Sequence, residues 1–477
     1  MPFDPFFPED ISNPPMNTRS RSLCLAEAGS LLTLTGPIII AQVSQTAMGV
    51  VDTIMAGWAG KNDLAAVAVG SSIFTPLFLF QVGLLSAVVP LVAQAHGAGD
   101  TKTMHRAMQQ GCIIGLFSGV LLMLLINHLP LVMAWMDVSS ECIPRTRQYL
   151  FAISWGFPAS GLFFALRNGG DGAALPRLSM IAGFVGLSVN ILTNYLLIFG
   201  KMGFPRLGGV GCGWASALAI LAMCLTMFGL LQSHPRTAFK GSDIRTSRLF
   251  DRSLLRQCKL GLPLGLSLFI ECSMFAVIAL LVSRFGAAVV ASHQVALNCT
   301  ALLFMIPYSL SSALAVRVGF VIGKKRAARL QRTVLSGVVL ALCGALLTAL
   351  CIVTGKDAIA SLYTQDPDVR SLAATLLLYA AAFQIPDALQ VNFAGALRGC
   401  KDTKVPMLLT ILAYWGVGLP VGWFLGLNGF AGFPPGPRGF WIGLICGLCT
   451  ASVLLGTRLF LLLLKQKERL MQPKAFP

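Results

Sequence analysis

The chain has 477 residues, of which 55% are hydrophobic and only 12% are charged. Soluble domains carry about 25% charged residues, so this composition excludes an ordinary soluble protein and indicates many membrane-spanning helices. The net charge of +17 comes from 36 Lys and Arg residues against 19 Asp and Glu residues. In this composition basic residues are interpreted as loop charges that set membrane topology, so we expect no nucleic-acid partner.

The first segment, residues 1–28, is rich in proline and polar residues, and we predict a cytoplasmic tail there. It has neither the basic start nor the continuous apolar run of a signal peptide. Beyond it, twelve apolar stretches reach the length of about 20 residues that a bilayer-spanning helix requires. These spans are predicted at roughly 30–58, 65–95, 107–128, 147–167, 178–200, 209–232, 260–284, 288–318, 333–354, 371–397, 405–427 and 439–463.

Lys and Arg are concentrated in the two tails and in the loops that follow even-numbered spans. The largest clusters lie within residues 236–259 and 324–332. Cytoplasmic loops of membrane proteins carry an excess of Lys and Arg. We therefore predict that both termini of this multi-pass protein are cytoplasmic.

The second half of the chain repeats short patterns of the first half at a nearly constant separation. The matching pairs include Pro37 with Pro263, Ser86 with Ser312, and Arg167 with Arg398. Such ordered matches indicate a duplication, and six spans per half give the two halves the same orientation. We predict an N-lobe at residues 29–232, a basic cytoplasmic linker at 233–259, a C-lobe at 260–464 and a cytoplasmic tail at 465–477.

Three acidic residues lie inside predicted spans: Asp52 in the first, Glu271 in the seventh and Asp387 in the tenth. Intramembrane charges cost roughly 2.5–3.5 kcal/mol or more and usually face a cavity with a functional role. A carboxyl group in a partly dry cavity can take up a proton or a metal cation and release it when access changes. The alternative is an acid that is satisfied by neighbouring amides and hydroxyls and only fixes packing.

Asn190 and Asn194 are spaced i, i+4 in the fifth span, so both side chains point to one face of that helix. They are candidates for a polar pocket shared with Asp52. Interhelical hydrogen bonding explains such residues equally well. Gln45, Gln294 and Asn298 have the same ambiguity.

The sequence contains no Walker A motif, no HExxH and no GxSxG, and its five histidines form no cluster. These absences argue against an enzyme and against transport driven by ATP in this chain. A channel lacks support as well, because no filter-like repeat is present. We expect no cofactor.

Several motifs together resemble the multidrug and toxic compound extrusion (MATE) family, in its bacterial NorM-like branch. They occur in the family's order: QTAMGVVDTIMAGW (45–58), SAVVPLVAQAHGAG (86–99), ALRNGGDG (165–172), GGVGCGWA (208–215), ASHQVALN (291–298) and LRGCKDT (397–403). The resemblance implies an all-α membrane protein with twelve helices in two pseudo-symmetric six-helix lobes around a central cleft. It also implies a bacterial inner membrane location, and we expect a monomer in the lipid bilayer.

The same resemblance implies efflux of organic cations and amphipathic drugs by alternating access, in exchange for protons or sodium. Asp52 matches the family's first-lobe acid, with Asn190 and Asn194 as polar partners. Glu271 and Asp387 match the second-lobe cation site, which would hold sodium if sodium is the coupling ion.

One position departs from the pattern, because Phe383 replaces a tyrosine that some relatives place four residues before the acid of the tenth span. That puts sodium binding at the second-lobe site in doubt. By position, Met274 and Phe275 are candidates to line the cleft with Gln45, Gln294 and Asn298. The alternative function is a flippase of lipid-linked precursors with related architecture, which would require a basic cavity.

Overall fold

The structure, a computed structural model, describes residues 16–128, 143–237, 251–429 and 434–471. Regular secondary structure in these ranges is entirely helical. It includes twelve helical stretches that are long and apolar enough to cross a membrane, which confirms the predicted number. They are α1 (Met16–Ala59), α2 (Lys61–Gly97), α3 (Thr101–Asn127), α4 (Ile143–Gly172), α5 (Pro176–Phe199), α6 (Gly209–Ser233), α7 (Arg252–Phe285), α8 (Ala287–Gly323), α9 (Ala327–Tyr363), α10 (Pro367–Gly399), α11 (Lys404–Leu427) and α12 (Pro437–Met471).

Four of these helices are not regular α-helix from end to end. Helix α2 consists of Lys61–Leu85 and Val88–Gly97, and α4 of Ile143–Ser154 and Gly156–Gly172. Helix α7 ends in a 3₁₀ turn at Ser283–Phe285. Helix α11 contains a π-helical segment at Leu412–Gly418, a rare geometry that is frequent at functional sites.

The chain forms two compact units whose limits lie inside helices rather than in loops. The first unit comprises residues 36–269, and the second comprises the described residues before 36 together with Ile270 onwards. The first half of α1 thus packs with the helices of the second unit, and the first half of α7 with those of the first unit. The lobes predicted at 29–232 and 260–464 differ from these units, because the sequence repeat marks where helices start and not where they pack.

The predicted tails also differ from the helical limits. Helix α1 begins at Met16, within the segment predicted as a tail, and α12 continues to Met471. The structure does not describe residues 1–15, 238–250 and 472–477. Much of the predicted linker and both chain ends therefore lie outside the described residues.

Glycines bring helices of the first unit into close contact. Gly115 of α3 faces Gly161 of α4, and a β-carbon on either residue would overlap the backbone of the other. A β-carbon on Gly83 of α2 would lie 2.7 Å from the Cα of Gly265 in α7. Small residues allow this approach in membrane proteins, where van der Waals packing drives helix association.

The second unit has a hydrophobic core built from α7 to α12. Its largest buried side chain is Trp441, with Phe440 and Tyr414 beside it. Met274 belongs to this core with 1% of its surface exposed, whereas Phe275 packs at its edge. The structure therefore gives Met274 a packing position instead of the cleft-lining position predicted from its place in the sequence.

Candidate functional site

A polar pocket surrounds Asp52 within the first unit. The Nδ2 groups of Asn190 and Asn194 donate hydrogen bonds to Asp52 Oδ1, at 3.0 and 2.6 Å. Ser216 Oγ donates to Asp52 Oδ2 at 2.5 Å. Asp52 is 8% exposed and both asparagines are fully buried. The structure thus brings Asp52 together with the two asparagines that share one face of α5.

The same pocket contains oxygen atoms with no hydrogen-bond partner. Among the described residues, Asn190 Oδ1 and Asn194 Oδ1 are buried and accept no hydrogen bond. Carboxylate and amide oxygens are the ligands that hard cations prefer in proteins. The group can therefore accept a proton on Asp52 or present several oxygens to a small cation.

Sequence reasoning missed two residues of α6 that contact Asp52. They are Ser216 and Cys212, whose Sγ lies 3.5 Å from the backbone oxygen of Asp52. Both lie on one face of α6, four residues apart. The available signal was weak, because a single serine in an apolar span commonly bonds to its own helix.

The second unit contains the other two acids. Tyr414, in the π-helical segment of α11, donates its hydroxyl hydrogen to Glu271 Oε1 at 3.3 Å. Asp387 of α10 is 3% exposed and lies within electrostatic reach of both Glu271 and Tyr414. The structure brings the two predicted acids together and adds a phenol that the sequence reasoning missed.

Phe383 has no oxygen to offer at this site. It is 6% exposed, and its ring packs with Phe275 and Trp441 at centroid distances of 6.5 and 6.0 Å. The oxygen that a tyrosine would supply at position 383 is absent, while Tyr414 places a hydroxyl beside Glu271 from another helix. Glu271, Asp387 and Tyr414 are therefore candidate oxygen donors for an ion in this unit.

The remaining candidates are dispersed. Gln45 accepts a hydrogen bond from Arg167 Nη1 at 2.9 Å, so it is part of a side-chain network in the first unit. Gln294 donates to Asn298 at 3.1 Å, and both residues are exposed on α8. In the part of the chain that the structure describes, no three His, Cys, Asp or Glu residues are grouped to hold a metal ion.

Comparison with known proteins places this chain in a family. The MatE family model matches residues 37–196 and 263–424. The multidrug resistance protein NorM of Photobacterium profundum is 42% identical over 440 residues, which cover 91% of this chain and 95% of that protein. The multidrug resistance protein PmpM of Pseudomonas aeruginosa is 44% identical over 461 residues, covering 94% of each chain.

Solved structures share the same fold. The eukaryotic MATE transporter AtDTX14 matches with a TM-score of 0.83 at 20% identity, over 94% of this chain and all of that one. A multidrug resistance MATE transporter in an outward-facing conformation matches with a TM-score of 0.81 at 19% identity, over 95% and 100%. This chain therefore belongs to the MatE family, in its NorM-like branch, and is a membrane transporter rather than an enzyme.

Proposed function

We propose that this transporter is a multidrug efflux antiporter, which exports organic cations and amphipathic drugs by alternating access in exchange for protons or sodium. The names and the 42–44% identity of its relatives support drug efflux. As part of the same proposal, it acts as a monomer in the bacterial inner membrane with both termini cytoplasmic. The pocket around Asp52 is the observation on which the exchange mechanism depends.

The partners of the buried acids support this assignment. Glu27 and Asp171 are buried beside arginines, with which they form ion pairs. Among the described residues, Asp52 has only neutral hydrogen-bond donors, and neither Glu271 nor Asp387 is paired with a Lys or Arg. A buried carboxylate without a compensating cation is costly, so these three groups favour uptake of a proton or a small cation.

Opposite conformational preferences of the cation and the drug would couple the two fluxes. A cation bound by the acids would favour one state of the transporter, and a drug would favour the other. The coupling free energy acts equally in both directions, so cation binding would promote drug release as much as drug binding promotes cation release. Inward movement of one charge supplies ~2.3 kcal/mol per 100 mV, in addition to the ion gradient.

The alternative of a precursor flippase is less well supported. A lipid-linked pyrophosphate carries negative charge and requires basic groups in its cavity. Among the described residues, Asp52, Glu271 and Asp387 lie inside membrane spans without a Lys or Arg partner, and these acids would repel such a ligand.

Transport by purified protein in proteoliposomes is the direct test. An imposed proton gradient and an imposed sodium gradient are applied separately, and movement of a fluorescent organic cation is followed. We expect the proton gradient or the sodium gradient to drive the organic cation against its own concentration gradient. If neither gradient moves any organic cation tried, the proposed function is wrong.

Three substitutions test the acids in the same assay: Asp52→Asn, Glu271→Gln and Asp387→Asn. Each should reduce gradient-driven transport at least about tenfold at equal membrane abundance, because the neutral amide cannot exchange a cation. Asp100→Asn is the matched control, since Asp100 is the exposed cap of α3 and asparagine caps equally well. Wild-type transport by all three variants would assign the acids to packing alone.

A further inference from the structure

A fourth buried acid, Glu27, has a setting that differs from the three proposed exchange sites. It lies in the first half of α1 and is 3% exposed. Arg317 of α8 donates from Nε to Glu27 Oε2 at 2.9 Å and from Nη2 to Oε1 at 3.1 Å. Arg317 is fully buried. This bidentate contact between an arginine and a carboxylate belongs to the strong, charge-assisted hydrogen bonds of proteins.

Helix α9 completes the cluster around Glu27. Arg329 donates from Nε to Oε1, and Thr333 Oγ1 donates to Oε2 at 3.1 Å. One turn further along α9, Ser336 Oγ donates to the backbone oxygen of Cys24 at 3.2 Å. The segment of α1 that contains Cys24 and Glu27 is therefore fixed to α8 and α9, and all these contacts lie within the second unit.

The second half of α1 is held by the other unit. Arg167 of α4 donates to Gln42 and Gln45 at 2.8 and 2.9 Å, and Asp52 accepts its three hydrogen bonds further along. The boundary between the two units falls at Thr35, between the contacts of Glu27 and those of Gln42. One continuous helix therefore connects the Glu27 cluster of one unit to the Asp52 pocket of the other.

We propose that Glu27 is a positioning residue that keeps the first half of α1 attached to the second unit throughout the transport cycle. A movement of that unit is then transmitted along α1 to the segment that holds Asp52. Separating Glu27 from Arg317 would break a bidentate contact between two buried, opposite charges, so detachment in every cycle is strongly disfavoured. The inference rests on the proposed antiport function, because transmission matters only if the units move during transport.

The repeat offers an internal comparison. In α7, the position equivalent to Glu27 is Ser253, and the position equivalent to Ser336 is Gln110 of α3. Gln110 Nε2 donates to Ser253 Oγ at 2.7 Å, which holds the start of α7 to the first unit. The duplicated helices use the same location for attachment, but among the described residues only the attachment of α1, the helix that carries Asp52, includes an acid with two arginine partners.

A covalent link between α1 and α9 tests whether the attachment is permanent. The variant keeps Cys24, carries Ser336→Cys and has its other cysteines replaced, and a short bifunctional thiol reagent joins the two residues. Glu27 and its partners are unchanged. We expect the linked protein to transport at the rate of the unlinked variant. The pair Gln110→Cys and Ser253→Cys is the matched control for α7.

Two results of this experiment would overturn the proposal. One is loss of transport on linking that a cleavable reagent reverses, because the contact would then have to open in each cycle. The other is reaction of both cysteines with a monofunctional thiol reagent but no link with the bifunctional one, because the two side chains would then not be neighbours. A wild-type protein that transports no drug would instead count against the proposed function.

Substitution of Glu27 gives the second measurement. Glu27→Gln should lower gradient-driven efflux by about fivefold or more, the range of a typical coupling free energy, while drug binding without a gradient keeps its wild-type Kd. Thr33→Ala is the control, since Thr33 is exposed and bonds within its own helix. Wild-type efflux by Glu27→Gln would overturn the positioning role, and if this variant does not fold the linking experiment still decides.

Discussion

Asp52 and Asp171 are both buried in the first unit, yet their partners give them different properties. Asp171 has Arg167 at 3.6 Å and accepts a hydrogen bond from Ser179 at 2.7 Å. Among the described residues, Asp52 accepts its side-chain hydrogen bonds from two amides and one hydroxyl. A carboxylate paired with arginine is neutralised within the protein and has little need of another cation. The choice of partner, more than burial, separates the proposed exchange residue from the structural one.

At Asp52, loss of a single donor should have a measurable but partial effect. Ser216→Ala removes the hydroxyl that bonds Oδ2, and a hydrogen bond to a charged group contributes about 1.5–3 kcal/mol. We expect at least about a tenfold change in apparent affinity for the coupling ion, with a smaller loss of transport than in Asp52→Asn. The apparent affinity is obtained from initial transport rates measured at increasing concentrations of the coupling ion.

The serine control for this experiment is Ser188→Ala on α5. Ser188 is exposed and bonds to the backbone of its own helix, so its removal should leave ion affinity unchanged. Equal ion affinity in Ser216→Ala and the wild type would mean that the hydroxyl does not act on Asp52.

Arg167 is expected to matter for stability. Arg167→Gln leaves Asp171 buried without its cation, and removal of one partner of a buried pair costs about 3–5 kcal/mol. Thermal unfolding in detergent should therefore show a markedly lower Tm. Arg145→Gln is the comparison, because Arg145 pairs with Asp63 at 3.1 Å but is 49% exposed, and exposed pairs contribute about 0–1 kcal/mol. Equal Tm values for the two variants would contradict this prediction.

At the scale of single helices, α11 is the element whose local geometry matters most. Its apolar run predicts an ordinary span, and the π-helical segment within it carries Tyr414 to Glu271. Nothing in the residue pattern marks this segment. A π-helical turn changes the direction of the side chains that follow it, so a helical wheel drawn from the sequence does not place Tyr414 correctly.

Helix pairs joined through glycine should tolerate no larger side chain. Gly161→Ala places a methyl group against the backbone of Gly115, and overpacking costs about 1–3 kcal/mol. Gly229→Ala is the control, because the position that its β-carbon would take has no neighbouring atom within 4 Å and alanine favours helix. The Tm of Gly161→Ala should therefore be lower than that of the wild type, and the Tm of Gly229→Ala should be equal to it or higher. The reverse order would contradict the close contact between Gly115 and Gly161.

At the scale of the whole molecule, duplication and packing follow different rules. The repeat divides the chain between its sixth and seventh spans, whereas the compact units divide it within α1 and α7. Each of these helices begins among the helices of one unit and ends among those of the other. In the proposed transport cycle, a movement of either unit would act on a helix that contains one of the proposed exchange acids, Asp52 in α1 or Glu271 in α7.

The proposed topology can be tested with an impermeant thiol reagent on intact cells whose outer membrane has been removed. In a cysteine-free background, Met202→Cys lies between α5 and α6, and Lys325→Cys between α8 and α9; both positions are exposed. We expect labelling of residue 202 only, because loops after even-numbered helices carry the positive charge. Labelling of residue 325 without lysis would invert the proposed orientation.

Residue patterns along the chain are enough to predict the twelve spans, the family and the three intramembrane acids. Length and apolar content decide whether a helix can cross a bilayer, and a charge within such a run is visible without coordinates. The spacing of Asn190 and Asn194 also placed both on one helix face. These features depend only on residues that are near one another in the chain.

Contacts between residues on different helices are visible only in the folded protein. Ser216 at Asp52, Tyr414 at Glu271 and the arginines at Glu27 all come from distant parts of the chain. Glu27 in particular lies in the segment predicted as a tail from its proline and polar residues, whereas the structure buries it beside Arg317. The energy of a buried charge depends on its partners in space, and linear sequence does not specify them.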